Sequence, residues 1–160
     1  MHRRALLLLA GSLVLAGCGF QPRGQSPLPF SGAWVEARPT CVVAQLLRDH
    51  LAQQGKLATS KKASDVVIQL SNDLRDKTIL SLSGAGKVRE YRLVHTVTVA
   101  AVGPDGQMRL APAEIKLTRD ISYSDEQVLA KEAEEAMLRR DMDEDALRQI
   151  LRRLAFVGRA

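Results

Sequence analysis

Few side chains in this sequence could do chemistry, and the most telling is a cysteine near the start. Cys18 closes the run Leu15-Ala16-Gly17-Cys18, directly after the apolar stretch Ala5 to Ala16 and the positive pair Arg3-Arg4. That stretch suits the core of a signal peptide and falls short of the roughly 20 residues a membrane-spanning helix needs. Leu-Ala-Gly-Cys is a lipobox. The thiol is required because it becomes a thioether to diacylglycerol, and the amine freed by cleavage accepts a further acyl chain. Three chains, at about 0.8 kcal/mol per buried CH₂, make a lasting anchor where one holds only marginally. Residues 1–17 are therefore expected to be cleaved, and Cys18 to carry the lipid. Gly19 follows the cysteine where an aspartate would favour retention, so sorting to the outer membrane is expected.

The other reactive types are sparse. Cys41 has no second thiol to pair with once Cys18 is lipidated, and it stands beside Val42 and Val43 as a small buried hydrophobe would. After residue 17 two histidines remain, His50 on a helix and His95 on a strand face shared with Leu93 and Val97, where a core histidine with one hydrogen bond is expected. Two separated histidines and one cysteine do not make the clustered donor set of a metal site. Gly84-Ala85-Gly86 lacks the lysine and serine of a phosphate-binding loop. Glu134 and Glu135 adjoin on a helix and so point different ways. No catalytic constellation is visible, and the chain is not expected to be an enzyme.

Basic groups are the remaining candidates. Lys87, Arg89 and Arg92 cluster at the start of a strand beside the glycine loop. Lys116 and Arg119 lie on the next strand, and Lys131 stands one turn into the last helix. Guanidinium forks and ammonium groups bind phosphates well, although charged residues on an exposed strand are more often only solubilising. The formal charge of +5 falls to +3 without Arg3 and Arg4. In an exported chain this excess excludes a nucleic-acid partner and suits anionic envelope components such as lipid phosphates.

These groups must be held by a small domain. Residues 18–32, punctuated by Gly19, Pro22, Gly24, Pro27, Pro29 and Gly32, read as a tether, and residues 33–160 as one domain with a real core. A short strand near Ala33–Ala37 is followed by a helix of about fifteen residues from Pro39-Thr40. Thr40 is its candidate N-cap, Val43, Leu46, Leu47 and Leu51 its apolar stripe, and Gly55 its stop. Alternation marks a strand at Val66–Ser71, resuming near Ile79–Leu82, with a bulge or bend at Asn72-Asp73. Glu90 to Val102 is the clearest strand. The turn Gly103-Pro104-Asp105-Gly106 pairs it antiparallel with Met108 to Tyr123, where Pro112 calls for an edge position or a kink. Ser124 and Gln127 resemble a capping box for a last helix of about 30 residues, ~45 Å long. Val128, Leu129, Ala133, Ala136, Met137, Leu147, Ile150, Leu151 and Leu154 form its apolar face, and the acidic stretch Asp141–Asp145 invites a break. The expected fold is α+β: an antiparallel sheet of about four strands covered on one face by two helices, in the order β-α-β-β-β-α. The other sheet face must meet water or a partner.

In this order, Cys18-Gly19-Phe20-Gln21-Pro22-Arg23-Gly24, Glu90-Tyr91-Arg92-Leu93, Arg119-Asp120-Ile121-Ser122-Tyr123 and Val128-Leu129-Ala130-Lys131-Glu132-Ala133-Glu134-Glu135 resemble the LptE family of lipopolysaccharide-assembly lipoproteins. The resemblance implies a non-catalytic outer-membrane lipoprotein, periplasm-facing, that partners an LptD-type β-barrel, assists its assembly, plugs its lumen and binds lipopolysaccharide. It implies no cofactor beyond the diacylglycerol and N-acyl chain on Cys18. It assigns lipopolysaccharide binding to Lys131. The place of the family's second basic residue, in the loop before Glu90-Tyr91, falls here at Gly84, with Lys87 and Arg89 close by. The competing reading is a periplasmic lipid carrier, or an accessory lipoprotein of another envelope-assembly machine. A carrier needs a sheltered apolar cavity, and one Trp, two Tyr and three Phe offer little to line one.

Overall fold

A computed structural model describes residues 27–124 and 127–157. Residues 1–26, on which the expected signal segment, Cys18 and most of the expected tether fall, lie outside the described residues, as do Asp125, Glu126 and residues 158–160. The elements are β1 (Ala33–Glu36), α1 (Val42–Gln53), β2 (Val66–Leu82), β3 (Val88–Val102), β4 (Met108–Ser122) and α2 (Val128–Leu154). They form one four-stranded sheet in the order β1-β2-β3-β4, with both helices against one face.

The α+β order is the one the sequence indicates, with one refinement. β1 pairs with β2 in parallel, Ala33 opposite Val66 and Glu36 opposite Gln69. Parallel neighbours need a crossover, and α1 provides it. β2–β3 and β3–β4 are antiparallel hairpins. β2 is a single long strand whose register slips between Ser71 and Leu74, with Asn72 at φ 52°, so the interruption at Asn72-Asp73 is a bulge. Pro112 falls in the register shift of β4, which is an edge strand, so its missing N–H disrupts no inner ladder.

Helix ends differ from expectation. α1 begins one residue later, with Cys41 rather than Thr40 at its N-cap and no side-chain cap. Gly55, at φ 65°, closes it as expected, donating to the Ala52 carbonyl while Lys56 N–H bonds to that of Leu51. Gln127, rather than Ser124, stands at the N-cap of α2, again without a side-chain cap. α2 runs unbroken through Asp141–Asp145.

Between sheet and helices lies a continuous core. Val43, Leu47 and Leu51 of α1 and Met142, Ala146, Ile150 and Leu154 of α2 meet Ile68, Leu93, Val97, Val99 and Ile115 of the strands. Leu28 and Phe30 join this core, so the folded body starts before residue 33. Lys56 Nζ bonds the carbonyls of Leu28 and Phe30, and Asp65 Oδ2 accepts from Ser31 N–H (2.9 Å) and Gly32 N–H (3.0 Å).

The apolar face assigned to the first half of α2 is the wrong face. Leu129 is 82% exposed and Met137 51%, with Val128, Ala133 and Ala136 also exposed. The buried residues Met142, Ala146, Ile150 and Leu154 recur every four positions. Extended backwards, that stripe reaches Leu138, Glu135 and Lys131, so polar groups bring this half of the helix to the sheet. No described helix is long and apolar enough to cross a membrane.

Candidate functional site

The basic residues singled out in the sequence divide into those the fold consumes and those it leaves at one end of the sheet. Arg119, on the helix-facing side of β4, pairs with Asp145 of α2. Arg92 pairs with Asp120 across the open face at 2.7 Å, and hydrogen bonding by Arg92 holds the Asp120 carboxyl below its ordinary range. Both act as braces between elements.

Lys131 is placed differently. β4 ends at Ser122, next to the start of β3, and α2 begins a few residues later, so the first turns of α2 lie over the base of the β2–β3 hairpin. Lys131 Nζ donates to Ser122 Oγ at 2.9 Å and to Glu134 Oε2 at 2.9 Å, and its side chain is only 17% exposed. Beside it, Lys77 of β2 donates to Glu135 Oε2 at 2.6 Å and stands 4.3 Å over the ring of Tyr91. Tyr91 meets Tyr123 edge to face at 5.5 Å. Burial pushes the Glu135 carboxyl up, but hydrogen bonds from Lys77 and Arg139 outweigh it and hold the group below its usual range. Lys77, Tyr91, Ser122, Tyr123, Lys131 and Glu135 line a cavity of about 20 Å³, room for a single water.

Across the Ser122–Tyr123 step lies an open cleft of about 530 Å³, lined by Ser81, Leu82, Arg89 and Glu90 as well as those two residues. The Arg89 carbonyl accepts from Tyr123 N–H at 2.7 Å, which fixes Arg89 at the cleft. Lys131 and Arg89 thus flank one step of β4. Lys87 lies in the tight turn beyond, where its N–H bonds Ser83 Oγ, and it lines neither space. Lys77 was missed in the sequence. It is 54 residues from Lys131 in the chain, and the signal that could have found it is strand alternation: Lys77 pairs with Leu93 and so shares the helix-facing side. Exposed apolar groups surround this end, with Leu82 in the cleft and Val128 and Leu129 at the start of α2.

A second polar cluster is buried at mid-sheet. His95 Nε2 is 2.8 Å from Asp73 Oδ1, and its Nδ1 stands 3.4 Å from Asp143 Oδ1 without a hydrogen bond. Arg75 holds Asp143 through bonds of 2.7 and 3.2 Å. The β2 bulge delivers Asp73 to this site, beside Cys41. Cysteine, histidine and aspartate together suggest nucleophilic chemistry, but burial pushes the Cys41 thiol up and the nearby Asp73 carboxylate adds to the shift, the opposite of what an attacking thiolate needs. The cluster ties α1, β2, β3 and α2 together. Among the described residues no group of three or more His, Cys, Asp or Glu is arranged to hold a metal.

Residues 36–154 match the family model described as LptE, lipopolysaccharide-assembly. The LPS-assembly lipoprotein LptE of Photorhabdus laumondii is 30% identical over 166 residues, spanning 100% of this chain and 90% of the relative. That of Pectobacterium atrosepticum is 28% identical, spanning 99% and 89%. Among solved structures, lipoprotein B from Nitrosomonas europaea superposes with a TM-score of 0.74 at 37% identity, covering 86% of this chain and 90% of that one. The rare lipoprotein B from Shewanella oneidensis gives a TM-score of 0.63 at 25% identity, covering 78% and 92%.

Proposed function

The chain belongs to the LptE lipopolysaccharide-assembly family, and from that premise we propose that it partners an LptD-type outer-membrane β-barrel. In this reading it assists the barrel's assembly, occupies its lumen and binds lipopolysaccharide on the way to the outer leaflet, anchored through lipid on Cys18. It acts by binding, not catalysis.

The observation that carries the lipid-binding part is the setting of Lys131. Its ammonium is held at the sheet end by Ser122, across one strand step from Arg89 and an open cleft, with Leu82, Val128 and Leu129 exposed nearby. Cations beside exposed leucines suit a phosphate-bearing lipid, whose headgroup needs charge and whose acyl stems need apolar contact. Arg89 belongs to the site in this reading, and Lys87 acts through its charge from the adjoining turn.

For the barrel, support comes from the uncovered sheet face. Arg92, Thr96, Thr98, Lys116, Thr118 and Asp120 lie on it, a surface better matched to a polar lumen wall than to hydrocarbon. The carrier alternative requires a sheltered apolar chamber. Between sheet and helices the space is filled by Leu47, Ile68, Leu93, Ile115, Met142 and Ile150, all fully buried.

Binding of lipopolysaccharide by the acylated full chain, native against Lys131→Asp, tests the site. Loss of affinity at an unchanged melting temperature supports it. Equal affinity would remove Lys131 from the account.

A further inference from the structure

We infer that Lys77 is a second cation of the Lys131 site, and that Glu135 occupies it until an anionic lipid headgroup takes the carboxylate's place. This deepens the proposed function and rests on it.

The two lysines line one cavity, approached from different elements: Lys77 from β2 and Lys131 from α2. Both ammonium groups already hold a carboxylate of α2, Lys77 that of Glu135 and Lys131 that of Glu134. A cavity of about 20 Å³ admits a water and not a phosphate. An anion can therefore reach the pair only where a glutamate swings out.

The surroundings make that exchange easy for Glu135. Its other oxygen accepts from Arg139, one helical turn on, at 2.8 Å, so the carboxylate stays paired after Lys77 lets go. Lys77 keeps the face of Tyr91, at 4.3 Å, and Lys131 keeps Ser122 Oγ, so neither cation loses every partner during the exchange. A phosphate ester carries up to about two negative charges at neutral pH, which one ammonium leaves half-balanced and two match. Lys77 is 35% and Glu135 18% exposed, sheltered enough for the ion pair to matter yet open to exchange.

The test measures binding of detergent-dispersed lipopolysaccharide by the acylated full chain in the same detergent, with inorganic phosphate as competitor. Lys77→Gln should weaken lipopolysaccharide binding about tenfold, and Lys77→Arg should restore most of it. Glu135→Gln should tighten binding several-fold; loss of folding cannot produce that gain, and the glutamine carbonyl still accepts from Arg139. Native affinity in Lys77→Gln while Lys131→Asp binds weakly would overturn the inference and leave the proposed site standing. Unchanged or weaker binding in Glu135→Gln would overturn the placeholder role. Native affinity in both lysine variants would overturn the site itself. With the pair upheld, competition by millimolar phosphate assigns recognition to the phosphate group, and its absence to the intact lipid headgroup.

Discussion

Arg75, just beyond the bulge of β2, grips Asp143 in the middle of the long helix with both arms of its guanidinium, at 2.7 and 3.2 Å. Asp143 is 5% exposed, and the same Oδ1 that accepts from Arg75 lies 3.4 Å from His95 Nδ1. The bond spans 68 residues and locks α2 to the sheet where leucine would otherwise do it. Removing Asp143 leaves Arg75 and His95 without their shared carboxylate. Asp143→Ala is expected to cost about 3 kcal/mol, seen in urea melts as a lower midpoint at unchanged slope.

Acid should loosen the contact between α2 and the sheet. Burial pushes the Glu135 carboxyl up, but the hydrogen bonds from Lys77 and Arg139 win and leave it depressed; Asp145 is depressed chiefly by Arg148, with Arg119 adding to it. A carboxyl whose folded pKa is lowered contributes stability that is complete above its unfolded value, here near 4.5 and 3.8, and lost as pH falls through the folded one. Melting temperature should therefore fall as pH drops below about 4.5, and Glu135→Gln should make that fall shallower.

Cys41 should be silent to thiol reagents in the native protein. It is 3% exposed, and burial together with the Asp73 carboxylate keeps its thiol protonated. With Cys18 acylated, Ellman's reagent is expected to find no thiol at pH 8 until denaturant is added, and then one per chain. Rapid native labelling would contradict this packing.

The two halves of α2 should respond differently to truncation. Ile150 is fully buried against the sheet, so Ile150→Ala is expected to cost about 2–5 kcal/mol. Leu129→Ser, at an exposed position, should stay within about 0.5 kcal/mol of native stability. Its effect should appear in the binding of detergent-dispersed lipopolysaccharide. Chemical denaturation of both variants separates the cases.

The contrast within α2 also marks where the sequence could and could not be read. The alternation of β3 and the Gly103–Gly106 turn are local signals, so that strand, its hairpin and the inward position of His95 were legible. Leu129 and Met137 have helical spacing, but spacing alone does not say which stripe meets the sheet; distant Lys77 and Ser122 decide that by binding Glu135 and Lys131. Asp143 read as part of a break because an aspartate inside a helix is ordinarily solvated. Its partner, Arg75, is remote in sequence and is brought to it by the bulge. Closeness to the glycine loop points to Lys87, whereas Lys77, earlier in the chain on β2, shares the cavity. The parallel pairing of β1 likewise depends on where α1 returns the chain.

The central claim is tested most directly by isolating the acylated full chain from native outer membranes in mild detergent and identifying what remains bound. The account predicts one large β-barrel protein in equimolar amount, retained through gel filtration, with lipopolysaccharide in the same fraction. Recovery of the lipoprotein alone, or with periplasmic proteins and no barrel, would contradict it.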